Sequence, residues 1–445
     1  MDAAQALPGR GESVSHNRFA LGTLAAVYLC NLLDRGLMDI LAQPIKDDLK
    51  LTDTQLGFVT GLAFAFFYAA LGLPIARWAD RGNRVTISAI AIGLWGITVM
   101  ASVFVVNYAQ LLAARIFAAV GEAGCKPPTY SLVGDYYPEP AARTRAMAIY
   151  WLGGPLSALL SYIVGGWLNQ MYGWRMTFFL AGIPGLVMAV IVKLTLKDPR
   201  SRRNATASRR TPSLGRVLKV LWTRRACRNL TLALILIFTV VMGSGTWNAA
   251  FMIRNHGMGT AELGVWLGLI NGIGGAISVL LGGYVASRWF GENECAQMRI
   301  SAFAIALTVP FTVSFLFVTD KYLALMMQIP VMLVLNLCIA PMFAIMQRLV
   351  SDNMRATTMA IIMLLYNLIG MGLGPQLVGL ISDALKPALG VDSLRYALLL
   401  MSLLALWSAY HFWRVGSTVK DDLQTTASEQ ELDGVGMLGV ATQDL

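Results

Sequence analysis

Residues 54–106, TQLGFVTGLAFAFFYAALGLPIARWADRGNRVTISAIAIGLWGITVMASVFVV, decide the fold of this chain. Two apolar runs, 54–76 and 85–106, flank a short turn that holds Arg77, Asp80, Arg81 and Arg84. About 20 predominantly apolar residues cross a bilayer as a helix, so this stretch is a membrane hairpin closed by a charged turn. Outward from it, the same measure finds runs at 19–43, 109–133, 146–168 and 176–196. Beyond a basic connector it finds six more, at 230–252, 261–286, 300–318, 323–347, 358–381 and 394–412. The expectation is an all-α polytopic membrane protein with twelve transmembrane helices in two six-helix bundles.

Composition agrees. Of 445 residues, 56% are apolar and 13% charged, whereas a soluble domain carries about 25% charged residues. A soluble fold, a disordered chain, a collagen and a disulfide scaffold are excluded together. The net charge of +10 is not a nucleic-acid signal, because eleven Lys/Arg fall between Lys197 and Arg228 with Asp198 the one acid among them. Basic residues recur in alternate loops, which by the positive-inside rule places both termini and this connector in the cytoplasm. The expected organisation is an N-terminal cytoplasmic tail (1–17), a first bundle (18–196), a cytoplasmic basic linker (197–228), a second bundle (229–414) and a disordered cytoplasmic tail (415–445). A short amphipathic helix is expected in the linker around Leu214–Leu221. Residues 1–17 lack an apolar core, so no cleavable leader is expected.

The two halves carry traces of a duplication. Pro44-Ile45-Lys46 through Thr54-Gln55-Leu56-Gly57 lines up with Phe251-Met252-Ile253 through Ala261-Glu262-Leu263-Gly264. Many secondary transporters are built from such repeats, with the site near the midplane between them.

Ionisable residues inside spans cost about 2.5–3.5 kcal/mol each on insertion scales and so mark functional candidates. They are confined to the first half: Asp34, Arg35 and Asp39 in the first run, and Arg115, Glu122 and Lys126 in the fourth. At about 1.5 Å rise per residue, Asp34, Arg35 and Arg115 share a level, with Glu122 one to two turns deeper. Spacings of seven, four and three put Arg115, Glu122, Lys126 and Thr129 on one helix face. The pairs this predicts are Asp34 with Arg115 and Arg35 with Glu122. A static network tying two helices together is one reading. The other is a protonation switch, in which Glu122 keeps its charge while Arg35 is in reach and takes up a proton when that partner withdraws. Sodium is disfavoured, because Arg35 and Lys126 already place cations there.

Other intramembrane polar residues are neutral. Trp247 and Asn248 follow the Gly243 and Gly245 breaks and are expected to line a cavity, with Tyr366 and Asn367 as further substrate candidates. Lys126, beside Pro127-Pro128, is placed to meet an anionic headgroup. Phe64, Phe66, Phe67 and Tyr68 are expected as packing. Five scattered cysteines and three dispersed histidines give no disulfide framework, metal centre or nucleophile–base pair. No phosphate-cradling loop occurs either. No enzyme activity, cofactor or metal is expected.

Ala76-Arg77-Trp78-Ala79-Asp80-Arg81-Gly82-Asn83-Arg84 resembles the loop signature of the major facilitator superfamily, with Ala76 for the usual leading Gly and Gly82 one place early. Arg115 followed by Gly121-Glu122-Ala123-Gly124, Gly153-Gly154-Pro155 with Gly165-Gly166, and Asp198-Pro199-Arg200 fit the same superfamily. Asn31-Leu32-Leu33-Asp34-Arg35 and Leu51-Thr52-Asp53-Thr54-Gln55-Leu56-Gly57 are similar to its spinster branch, which carries lysophospholipids or sphingolipid phosphates. Organic-anion symporters share the Asp-Arg and Gly-Glu-Ala elements. The resemblance implies a proton-coupled transporter working by alternating access in a bacterial inner membrane. It would act as a monomer, with lipids, protons and a small-molecule or lipid substrate as partners. Asp34, Arg35, Arg115 and Glu122 fall at the branch's coupling positions, and Asp80, Arg81 and Arg84 at the gating positions.

Overall fold

The computed structural model of the protein describes residues 10–199, 213–285, 288, 293–352 and 354–441. Among them every regular element is helical: α1 (Arg10–Leu49), α2 (Asp53–Gly57), α3 (Ala63–Arg81), α4 (Arg84–Ala101), α5 (Tyr108–Tyr136), α6 (Pro140–Trp151), α7 (Gly153–Thr195), α8 (Leu214–Thr223), α9 (Arg225–His256), α10 (Thr260–Gly268), α11 (Gly275–Val285), α12 (Glu294–Phe317), α13 (Lys321–Arg348), α14 (Arg355–Leu365), α15 (Gly372–Leu389) and α16 (Ser393–Ala441). Among the described residues, eight stretches are long and apolar enough to cross a membrane. Two of them, Pro140–Thr195 and Thr357–Thr426, run for 56 and 70 residues, well beyond the roughly 20 that one crossing needs. The first is broken at Gly173, whose φ of 78° is open to a residue without a Cβ. Neither α1 nor α5 is among the eight. These two helices carry the intramembrane charges, which lower their mean hydropathy.

Local sequence explains the helix starts. Thr52 caps α2 through a reciprocal box, its hydroxyl accepting from Gln55 N while the Gln55 side chain accepts from Thr52 N. Asn83, Asn107 and Asp320 cap α4, α5 and α13 one way only, their side chains accepting from Thr86 N, Gln110 N and Leu323 N.

The chain divides into two compact units. One comprises 1–51, 63–206 and 259–272; the other comprises 52–62, 207–258 and 273–445. This differs from the division at the linker expected from sequence, because the starts of two spans change unit. Both exchanges fall at π-helical turns, Phe58–Leu62 and Leu269–Gly274. Such turns widen the helix by one residue and recur at functional positions.

Each exchanged segment is seated by the same device. In the second unit, a Cβ on Gly57 would lie 2.6 Å from Pro375 O, and one on Gly379 would lie 2.3 Å from Asp53 O. The Ser382 hydroxyl donates to Asp53 Oδ2 at 2.7 Å, and Asp383 accepts from Asp53 N and Thr54 N at 3.1 and 2.7 Å. In the first unit, a Cβ on Gly264 would lie 2.2 Å from Tyr162 O, and one on Gly166 would lie 2.2 Å from Thr260 O. There Asn169 donates to Thr260 Oγ1 at 3.0 Å, and Gln170 Oε1 accepts from Ala261 N at 3.0 Å. The register is identical, with each pair of glycines spaced alike from the capping side chain. The repeat traced at 54–57 and 261–264 therefore extends to the helices they pack on. One seat is charged, since Arg254 grips Asp53 with two donors at 2.6 and 2.8 Å. The other is neutral.

The tail departs from expectation. Instead of disorder from residue 415, α16 continues to Ala441. Val415 and Val419 are buried in the core of the second unit, and Asp422 Oδ2 accepts from Ala226 N at 2.7 Å near the start of α9. A carboxylate at a helix N-terminus satisfies an orphan donor and complements the dipole, which holds a polar segment that composition alone assigns to solvent.

Candidate functional site

In the first unit, α1, α3 and α5 bring the intramembrane charges together. Arg115 pairs with Asp34, and Arg35 pairs with Glu122. These are the pairings drawn from helical spacing. Lys126, one turn along from Glu122, approaches the same oxygen, Oε1, at 3.4 Å. Glu122 Oε2 is buried without a hydrogen-bond partner, as are Arg35 Nε and Arg115 Nε.

The two pairs differ in access. Asp34 and Arg115 are 1% and 5% exposed, so that pair is sealed. Glu122 is 0% exposed, yet the side chains of Arg35 and Lys126 are 30% and 19% exposed. A fully enclosed carboxylate thus depends on cations that are themselves partly accessible.

Aromatic rings complete the enclosure. The Phe64 centroid lies 4.8 Å from the Arg115 guanidinium and 5.7 Å from that of Arg35. Tyr68, one turn on, lies 5.7 Å from Arg35 and 5.5 Å from Lys126 Nζ. Faces of aromatic rings attract cations by about 0.5–2 kcal/mol, so these side chains do more than pack. The signal available in the sequence was their four-residue spacing opposite a cationic helix face. Behind Lys126, Thr129 Oγ1 and Tyr150 OH lie 2.9 Å apart, and Tyr150 stacks on Tyr28 at 4.6 Å. Tyr28 and Tyr150 were not singled out from sequence. Asp39, one turn beyond Arg35 on α1, accepts from Tyr162 OH at its Oδ2 at 3.0 Å. Asn31, one turn before Asp34, is wholly buried with no partner for either side-chain polar atom.

Of the gating candidates, Arg84 is buried and makes a hub. Its guanidinium donates to Asp198 at 2.6 Å and to Ser131 at 2.6 Å, and it also pairs with Asp135. Arg81 is exposed. The Asp80 side chain lies outside the described residues.

The substrate candidates of the second half are dispersed in role. Trp247 is fully buried, and its indole N–H donates to Pro375 O at 3.0 Å. It is core rather than cavity lining, because the close approach of Gly243 to Gly374 draws α9 onto α15 beside it. Tyr366 stacks on Phe238 at 4.2 Å, at the start of a third π-helical turn, Tyr366–Met371. Asn367 donates to Met363 O at 2.8 Å. Asn248, Tyr366 and Asn367 are half-buried.

The sequence profile of the Major Facilitator Superfamily matches residues 24–375. An MFS-type efflux pump of Mycolicibacterium smegmatis is 31% identical over 409 residues, covering 91% of this chain and 94% of that protein. Protein spinster of Drosophila melanogaster is 24% identical over 391 residues, covering 85% of this chain and 64% of that protein. Among solved structures, a bacterial homologue of the human lysosomal transporter Spinster, inward-facing and unoccupied, superposes with a TM-score of 0.81 at 24% identity. That match covers 92% of this chain and 98% of the other.

Proposed function

We propose that this chain, which belongs to the major facilitator superfamily, is a proton-coupled secondary active transporter that works by alternating access. In this reading it crosses the membrane twelve times, with the 56-residue and 70-residue stretches each crossing more than once and with α1 and α5 as charged spans. Both termini are cytoplasmic, and the membrane is the cell inner membrane.

One observation carries the proposal: Glu122 Oε1 meets both Arg35 and Lys126 while Oε2 has no partner in a fully buried site. A carboxylate half-satisfied in this way is stable only with its cations in place, and an unmet buried acceptor costs about 1–3 kcal/mol. Withdrawal of Arg35 leaves protonation as the cheaper way to remain buried. Proton uptake then favours whichever conformation withdraws Arg35, by the difference in proton affinity between the two states and no more. Asp34 and Arg115 anchor α1 to α5 through the cycle. A network serving only to hold these helices together would not require its cations to stay accessible.

The cluster carries Arg35, Arg115 and Lys126 against Asp34 and Glu122, one cation in excess. That excess suits an anionic group on the substrate, with Lys126 as first contact. A lysophospholipid or sphingolipid-type molecule supplies such a group on an amphipathic body. An organic anion moved by proton symport is the alternative. In proteoliposomes, flux of a labelled lysophospholipid should follow an imposed pH gradient and stop when the gradient is collapsed. Gradient-driven flux of organic anions with no lipid movement would select the alternative, and gradient-independent flux of both would reject proton coupling.

A further inference from the structure

We infer that α8 is a seat for anionic lipid headgroups at the cytoplasmic membrane surface, a binding role separate from the transport site. Among the described residues, α8 (Leu214–Thr223) is a ten-residue helix with three chemically distinct faces. Val217 and Leu221 are buried in the core of the second unit, in one cluster with Cys227, Met354 and Val419. Leu214, Leu218 and Trp222 are 63%, 51% and 65% exposed. At about 100° per residue, these three form a continuous stripe bordering the buried face. Arg216 and Lys219 occupy the remaining arc, exposed, and Arg225 continues the positive charge just beyond.

This arrangement is that of a helix lying in an interface. Its apolar stripe enters the headgroup–acyl boundary, its tryptophan sits at headgroup level, and its basic face meets phosphate. Charge complementarity selects the occupant. Arg216, Lys219 and Arg225 are exposed on or just beyond α8 with no acid among residues 213–228, and basic residues near an anionic surface are drawn to it. A zwitterionic leaflet offers the stripe the same apolar depth without that attraction. The seat is coupled to its own unit: Arg224, immediately after α8, donates to Leu349 O at 2.7 Å and to Thr426 Oγ1. Whatever grips α8 is therefore tied through Arg224 to the end of α13 and to Thr426 within α16.

The test uses the full chain carrying Leu218→Cys, labelled with an environment-sensitive dye and reconstituted in phosphatidylcholine vesicles with or without phosphatidylglycerol. Wild type supplies the background, since its cysteines are buried apart from the half-buried Cys295. Brominated acyl chains should quench the dye at 218, several-fold more strongly with phosphatidylglycerol present. The same dye at Thr223→Cys, on the basic face, should remain water-like. The double change Arg216→Gln with Lys219→Gln should remove the phosphatidylglycerol dependence, and Trp222→Cys provides a second reporter on the stripe. An absence of quenching at both 218 and 222 would overturn the proposal, as would equal quenching with and without the anionic lipid, or equal quenching at 218 and 223.

Discussion

Glu122 Oε1 faces two cations while Oε2 faces none, and this imbalance distinguishes it from Asp34, whose single partner Arg115 is sealed with it. The two carboxylates should therefore fail differently. Asp34→Asn leaves Arg115 buried and unpaired, a loss of about 3–5 kcal/mol, and should appear first as a lower melting temperature in detergent. Lys126→Ala removes the looser partner and leaves Arg35 on Glu122, so folding should persist while substrate affinity falls by about tenfold or more, measured by equilibrium binding. Retained affinity in that variant would remove Lys126 from the substrate site. These residues were legible because charge inside an apolar run is rare and helical spacing places it on a face. Trp247 was misjudged because glycine breaks in sequence do not reveal whether the freed space is filled by cavity or by another helix. Here α15 fills it.

The seats of α2 and α10 belong to the element scale, where the backbone approach sets the chemistry. A Cβ at Gly166 or Gly379 would come within 2.2 or 2.3 Å of a backbone carbonyl oxygen, and forced overpacking of this kind costs about 1–3 kcal/mol. Gly379→Val should therefore prise α2 from α15, read as faster thiol modification at Thr54→Cys. Gly245→Val, where nothing lies within 4 Å, should leave that rate unchanged. The charged seat should respond to Arg254→Gln, which takes the guanidinium off the buried Asp53 and leaves its charge to the Ser382 hydroxyl, whereas the seat at Thr260 has no such ion pair to lose. The first half of this repeat was visible in the sequence as Gln55-Leu56-Gly57 against Glu262-Leu263-Gly264. Its complement, residues 162, 166, 169 and 170 against 375, 379, 382 and 383, was not. Tyr162 and Gly166 share no residue type with Pro375 and its neighbours beyond the glycine, and the match lies in backbone contact. The π-helical turns left no periodic trace, and α16 was truncated in the sequence reading because its stabilising partner, Ala226 N, is 196 positions away.

For the whole molecule, the hydropathy pattern carried the fold class, and motif spacing carried the family. What it did not carry is the membership of the compact units, since the exchange of 52–62 and 259–272 depends on tertiary seats rather than composition. Orientation is open to direct test: cysteines placed at 205, in the basic connector, and at 385 should label from opposite sides of the membrane. The central claim is that a proton on Glu122 shifts the conformational equilibrium. Its most direct test is the distribution of inter-spin distances between labels on the cytoplasmic ends of the first and second halves, recorded across pH in wild type and in Glu122→Gln. Wild type should convert between two populations as pH changes, while Glu122→Gln, a mimic of the protonated acid, should hold one population at every pH and still bind substrate. If wild type and variant titrate alike, Glu122 only holds helices together and the proton binds elsewhere.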